Sequence, residues 1–149
     1  MKTVRQLLEY KGHAVRLIAP DATVFEAVKA MDKYGVGALV VSKDGKKVAG
    51  IISERDYARK VILKGKSSKK IPVSSIMTKK VVYVTPERTA DECMALMTAR
   101  RIRHLPVLAG KKKELAGIVS IGDLVRAEMK EKELLIEQLS KYISGTDGH

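Results

Sequence analysis

Apolar residues follow one helical pattern twice along the chain. After Thr23 they stand at Val24, Ala27, Val28 and Met31, the i, i+3, i+4, i+7 stripe of a helix that buries one face. After Thr89 the stripe returns at Ala90, Cys93, Met94 and Met97. Thr23 with Glu26, and Thr89 with Glu92, have the Thr-x-x-Glu spacing of a capping box, in which hydroxyl and carboxylate satisfy backbone N–H groups left free at a helix start. Beyond each helix comes a β-rich run, Ala38-Leu39-Val40-Val41 and then Leu105-Pro106-Val107-Leu108. A polar turn follows (Asp44-Gly45, Gly110-Lys111), then a returning run, Val48-Ala49-Gly50-Ile51-Ile52 and Leu115-Ala116-Gly117-Ile118-Val119. These predict two β-hairpins. Arg16-Leu17-Ile18 and Val81-Val82-Tyr83-Val84 read as opening strands, and further helices are predicted from about Glu54 to Leu63 and from Gly122 onward.

The recurrence is a true internal repeat. Pro20-Asp21-Ala22-Thr23-Val24-Phe25-Glu26 stands beside Pro86-Glu87-Arg88-Thr89-Ala90-Asp91-Glu92, each residue displaced by 66 positions. The returning runs are displaced by 67, so the second turn holds one extra residue, where insertion costs least. Each unit is strand, helix, strand, strand, helix. The expected organisation is a first repeat with N-terminal segment and linker over 1–70, a second repeat over 71–130, and a C-terminal helix extension and tail over 131–149. The stretch Gly65 to Pro72 joins the repeats. One small β-sheet with two helices on one face leaves apolar surface uncovered. The copies are therefore expected to pair about a pseudo-twofold axis, an α/β (α+β) fold with grooves where they meet. The last helix carries an interrupted stripe, Val125, Met129, Ile136, Leu139 and Ile143, with Lys132 where another apolar residue would fall. It is expected to run past its own repeat, to fold back on the first repeat or meet a second subunit, and to end in a frayed tail from Gly145.

The repeat keeps more than core positions. Gly50-Ile51-Ile52-Ser53-Glu54-Arg55-Asp56 and Gly117-Ile118-Val119-Ser120-Ile121-Gly122-Asp123 share G-h-h-S-x-x-D, placing a serine and an aspartate at a strand-to-helix junction. Ser53 and Ser120 suit N-caps, with Asp56 and Asp123 as carboxylates near the positive helix end. The same geometry offers a serine hydroxyl and free N–H groups to a phosphate, and a carboxylate to vicinal ribose hydroxyls. Capping and binding are compatible.

This duplicated G-h-h-S-x-x-D, each copy preceded by P-x-x-T-x-x-E, resembles the cystathionine β-synthase (CBS) domain pair, or Bateman module, over roughly residues 5 to 130. Ser75-Ile76-Met77-Thr78 and Arg101-Ile102-Arg103-His104-Leu105-Pro106-Val107 are also wording typical of that family. The resemblance implies a regulatory module whose clefts hold AMP, ADP, ATP, NAD or S-adenosylmethionine, AMP first. It places Asp56 and Asp123 at ribose, Ser53 and Ser120 near phosphate with Arg55 a further phosphate contact, and the backbone of Gly37-Ala38-Leu39 and Arg103-His104-Leu105-Pro106 along the adenine pockets. It also implies a homodimer. Gly37-Ala38 corresponds to Arg103-His104 and Glu54-Arg55 to Ile121-Gly122, so the clefts are expected to differ. His104 reads as a phosphate donor, a proton-sensitive switch, or a satisfied surface group.

Composition narrows the alternatives. Of the 149 residues 45% are hydrophobic and 31% charged, which describes a folded chain, and with no Trp and one Phe there is no aromatic platform for single-stranded nucleic acid. The net charge of +12 attracts anions, and its excess lies in runs: Arg59 to Lys70, Lys79-Lys80 and Lys111-Lys112-Lys113. Solvated surface is the plain reading of these, with a nucleic-acid-binding protein as an alternative function, beside a dimeric interaction scaffold with vestigial clefts. No stretch reads as a signal sequence or membrane span, which predicts a cytoplasmic protein without membrane contact. A single cysteine, Cys93, on a core stripe and three scattered histidines supply no nucleophile–base pair or zinc cluster, so neither catalysis, nor metal, nor a required cofactor is expected. With no effector domain in this stretch, the output is expected to be a separate effector protein.

Overall fold

Both capping boxes form. The structure, a computed structural model, describes residues 2–147. Thr23 caps α2 (Val24–Tyr34) and Thr89 caps α4 (Ala90–Arg100); each hydroxyl accepts from the N–H of the glutamate, whose carboxylate accepts from the threonine N–H in return. Val24, Ala27 and Met31 of α2 and Cys93 and Met97 of α4 are buried, as the stripes predict. Burial pushes the Cys93 thiol up to about 11, the condition of a packed small hydrophobe rather than a nucleophile.

In the first repeat β1 (Leu17–Ile18) pairs parallel with β2 (Ala38–Val41), which pairs antiparallel with β3 (Gly50–Ser53). The second has the hairpin of β4 (His104–Ala109) and β5 (Glu114–Ser120). Its expected opening strand over 81–84 shrinks to a single parallel bridge between Val84 and Val107. Pro106 is the reason. In the first repeat Val40 donates to the Arg16 carbonyl at 3.3 Å and Ser42 to the Ile18 carbonyl at 3.1 Å. Pro106 stands in Val40's place and has no N–H to give Val82, the counterpart of Arg16. What survives is Leu108 donating to the Val84 carbonyl at 2.9 Å and Val84 donating to the Pro106 carbonyl at 3.1 Å.

After β3 comes α3 (Glu54–Tyr57), prolonged by a π-helical stretch over Ala58–Ile62; after β5 comes α5 (Ile121–Asp147). The segments ahead of the repeats are exchanged. Helix α1 (Val4–Lys11) precedes the first repeat, yet its Val4, Leu7 and Leu8 join the second repeat's core with Cys93, Met97, Leu105 and Val119. The segment just after the linker opens the second repeat, yet its Val73 and Ile76 join the first repeat's core with Val24, Leu39 and Ile52. Backbone bonds fix both: Val4 donates to the Arg88 carbonyl at 2.7 Å, and Val24 to the Ile71 carbonyl at 3.0 Å. Each core is thus completed by chain from outside its own repeat.

The stripe of α5 does not fold back on the first repeat. Val125, Met129, Ile136, Leu139 and Ile143 are each between 44% and 62% exposed. The helix runs on to Asp147, past Gly145, where a frayed tail was expected. One interior glycine costs about 1 kcal/mol relative to alanine, too little to stop a long helix by itself. Residues 148–149 of the expected tail lie outside the described residues.

Candidate functional site

A cleft of about 730 Å³ opens between the two repeats. Its walls contain Gly37, Ala38, Ser53, Arg55, Asp56, Arg103, His104 and Pro106, eight of the residues singled out from the sequence. Leu39 and Leu105 are fully buried and sit in the two cores, and Ser120 and Asp123 are not among the residues lining this cleft. Thr78, Lys80 and Arg101 also line it and were not singled out as binding residues. Thr78 and Arg101 belong to the segments Ser75–Thr78 and Arg101–Val107, so a signal for them was present; nothing in the pattern marked Lys80 beyond its charge.

Local physics positions Asp56. Ser53 is the N-cap of α3, its Oγ accepting from the Asp56 N–H at 3.2 Å, and Asp56 Oδ2 accepts from the Ser53 N–H at 3.0 Å and hydroxyl at 3.1 Å. The other oxygen, Oδ1, meets Lys60 Nζ at 3.0 Å and accepts a long bond from the Thr78 hydroxyl at 3.4 Å. Capping therefore occupies one carboxylate oxygen, and the other faces the distant Thr78 hydroxyl and Lys60, whose Nζ also donates to the Ile76 carbonyl at 2.8 Å.

The cationic wall comes from both repeats. Arg55 Nη1 donates to the Arg101 carbonyl at 2.9 Å, tying α3 to the end of α4. Arg101 is left-handed, with φ 54° and ψ 45°, where α2 ends on Gly35 with φ 63° and ψ 37°. A non-glycine residue held there costs about 1 kcal/mol, and such strain gathers at functional positions. His104 is half-buried against Gly37; a Cβ added there would come within 3.3 Å of the imidazole Cε1. Burial first, then the positive charge of Lys11, hold its imidazole below the ordinary histidine range despite Asp123 and Glu54. It faces the cleft as a neutral hydrogen-bonding group.

The second motif repeats the capping geometry with a different outcome. Asp123 Oδ2 accepts from the Ser120 N–H at 2.8 Å and hydroxyl at 2.9 Å, and Oδ1 from Arg126 Nη2 at 2.7 Å, Arg126 lying three residues on where Lys60 lies four residues on from Asp56. Lys11 Nζ, from the end of α1, then bonds Asp123 Oδ2 at 2.6 Å and the Ile118 carbonyl at 2.7 Å. Burial alone would raise this carboxyl, but Lys11 and Ser120 together hold it below the usual carboxylate range. Nothing in the local pattern pointed to Lys11.

Among the described residues no three His, Cys, Asp or Glu side chains converge as a metal site, and no helix is long and apolar enough to cross a membrane. The basic runs at 59–60, 64–70, 79–80 and 111–113 are solvent-exposed at every lysine and arginine.

Comparison with known proteins agrees with this geometry. The CBS domain family matches residues 12–63 and 73–130. The chain is 50% identical over 129 residues to the mitochondrial CBS domain-containing protein CBSX3 of Arabidopsis thaliana, covering 84% of this chain and 62% of that protein, so it spans less than two thirds of that relative's length. A crystal structure of a CBS domain superposes with a TM-score of 0.80 at 47% identity, covering 86% of this chain and 98% of the other. A hexameric CBS-CP12 protein from bloom-forming cyanobacteria superposes with a TM-score of 0.71 at 27% identity, over 98% of this chain and 89% of that one. Two matched repeats, a shared fold and the duplicated serine–aspartate junction establish that the chain belongs to the CBS-domain family.

Proposed function

We propose that the chain is a non-catalytic regulatory module that binds an adenosine nucleotide, AMP foremost, in the cleft at Asp56. The observation that carries this reading is the pairing, in one cleft of about 730 Å³, of a ribose-competent carboxylate with a cationic rim of Arg55, Lys80, Arg101 and Arg103. That volume suits a nucleotide-sized ligand. Asp56 Oδ1 accepts from ribose hydroxyls, the basic rim takes phosphate, and the Gly37-Ala38 backbone with Pro106 and Val82 offers a flat apolar wall to the base. The nucleotide acts by favouring one angle between the repeats, read by a separate effector protein. The exposed stripe of α5 supports a homodimer in which a second copy covers it.

Thermal melts with AMP, ADP, ATP, NAD and S-adenosylmethionine, each in excess, test the reading. Ligand at 100 times its dissociation constant stabilises by about 2.7 kcal/mol, a rise of several degrees for a chain of this size. We expect that rise with AMP and its loss in Asp56→Ala. If no adenosine ligand moves the midpoint, the reading fails, and duplex or single-stranded nucleic acid becomes the next probe for the basic surface.

A further inference from the structure

We propose that Lys11 closes Asp123, the second repeat's counterpart of Asp56, to ribose, so that each chain takes one nucleotide and not two. This rests on the nucleotide reading of the Asp56 cleft and adds the number and place of its ligands.

The two carboxylates start out alike. Each has one oxygen engaged by the N–H and hydroxyl of its own serine cap, and the other by an exposed cation one turn further along the helix, Lys60 or Arg126. Arg126 is 71% exposed, while Lys60, 44% exposed, also donates to the Ile76 carbonyl at 2.8 Å. The difference lies in the next partner. Asp56 meets the Thr78 hydroxyl at 3.4 Å, a neutral group able to turn its proton elsewhere or accept from a ligand. Asp123 takes the Lys11 ammonium at 2.6 Å on its capped Oδ2, so both of its oxygens carry a cation, where Asp56 carries one on Oδ1 alone.

Lys11 is also held from behind. In the first repeat Ile51 exchanges both backbone bonds with Thr78, at 3.1 and 2.8 Å. In the second repeat the chain turns away at Gly12, with φ 105°, and the carbonyl of Ile118, the counterpart of Ile51, is taken by Lys11 Nζ at 2.7 Å. A side-chain ammonium thus replaces a backbone bridge and, in doing so, reaches the carboxylate. Helix α1 cannot drift off, because Leu8 is buried against Gly117: a Cβ at Gly117 would lie 2.7 Å from Leu8 Cδ2. Ribose hydroxyls, being neutral, would have to compete at Asp123 with two cations, Arg126 on Oδ1 and Lys11 on Oδ2, where at Asp56 they meet Lys60 alone. The lowered pKa of Asp123 fits a carboxylate already neutralised from within.

Equilibrium dialysis with labelled AMP decides it. We expect one AMP per wild-type chain, lost in Asp56→Asn, and two per chain in Lys11→Met, returning to one when Asp123→Asn is added. Lys11→Gln, which keeps a donor for the Ile118 carbonyl, guards against a variant that does not fold, and circular dichroism verifies each. Two AMP per wild-type chain overturns the role of Lys11 while leaving the nucleotide reading intact. So does a stoichiometry that stays at one in folded Lys11→Met and Lys11→Gln. No binding by wild type or by either Lys11 variant overturns both.

Discussion

Gly35 and Arg101 stop equivalent helices, Val40 and Pro106 hold the same place in equivalent strands, and Thr78 and Lys11 reach equivalent carboxylates from the segments ahead of each repeat. Core positions such as Met31 and Met97, Leu39 and Leu105, or Val41 and Val107 are matched between the halves, while Arg101 and Pro106, where the first half has Gly35 and Val40, line the cleft. The first half has the three-stranded sheet, the relaxed helix end and the less encumbered carboxylate. The second half lends its Arg101, Arg103 and His104 to the first half's cleft and seals its own aspartate with Lys11. Duplication therefore produced one open cleft with two unequal walls rather than two copies of a site.

The strongest way to break this comparison is to remove the anchor that only the second half has. Leu8 is 1% exposed, in the second repeat's core. Leu8→Ala should cost about 3 kcal/mol through lost burial and a residual cavity, lowering the melting midpoint by roughly 10 °C. A denaturant melt showing less than about 1 kcal/mol would mean that α1 is an ornament and not part of that core.

A finer contrast lies in two glycines at equivalent strand positions. A Cβ at Gly50 would come within 2.8 Å of the Thr78 carbonyl oxygen and 2.7 Å of Met77 Sδ, so backbone must move. At Gly117 the atoms in the way are the ends of the Leu8 side chain. Overpacking costs roughly 1–3 kcal/mol, and we expect Gly50→Ala near the top of that range and Gly117→Ala near the bottom. Equal losses in parallel melts would refute the claim that a backbone bridge in one half is replaced by side chains in the other.

How far the sequence disclosed this follows from the range of each interaction. The capping boxes at Thr23 and Thr89, the apolar stripes and the Ser53/Asp56 and Ser120/Asp123 junctions are local, spanning one or two turns, and all were legible. The pseudo-twofold pairing followed from apolar surface that one unit cannot cover. Pro106 was visible as a strand proline, but the rung it deletes depends on Val82 lying across from it, a long-range fact. Lys11 meets Asp123 across more than a hundred residues because α1 crosses to the other repeat, and no periodicity records that exchange. The missed cleft residue Lys80 is likewise brought in by the pairing of the halves, whereas Arg101 lay in a segment the sequence did mark.

The smallest expected effect bears most directly on why the halves differ. Arg101 holds a left-handed conformation that Gly35 adopts without strain, so Arg101→Gly should relieve up to about 1 kcal/mol and raise the melting midpoint by a few degrees. Replacing it also removes a cation from the cleft rim while leaving its carbonyl, the acceptor for Arg55, in place. The two consequences should therefore separate: a more stable protein that binds AMP several-fold more weakly, by calorimetry beside a thermal melt. If the variant is more stable and binds equally well, the strained arginine is no part of the site, and the cationic wall rests on Arg55, Arg103 and Lys80 alone. If it is less stable, Arg101 holds the helix end by contacts that outweigh its backbone strain, and the contrast with Gly35 is one of packing rather than of function.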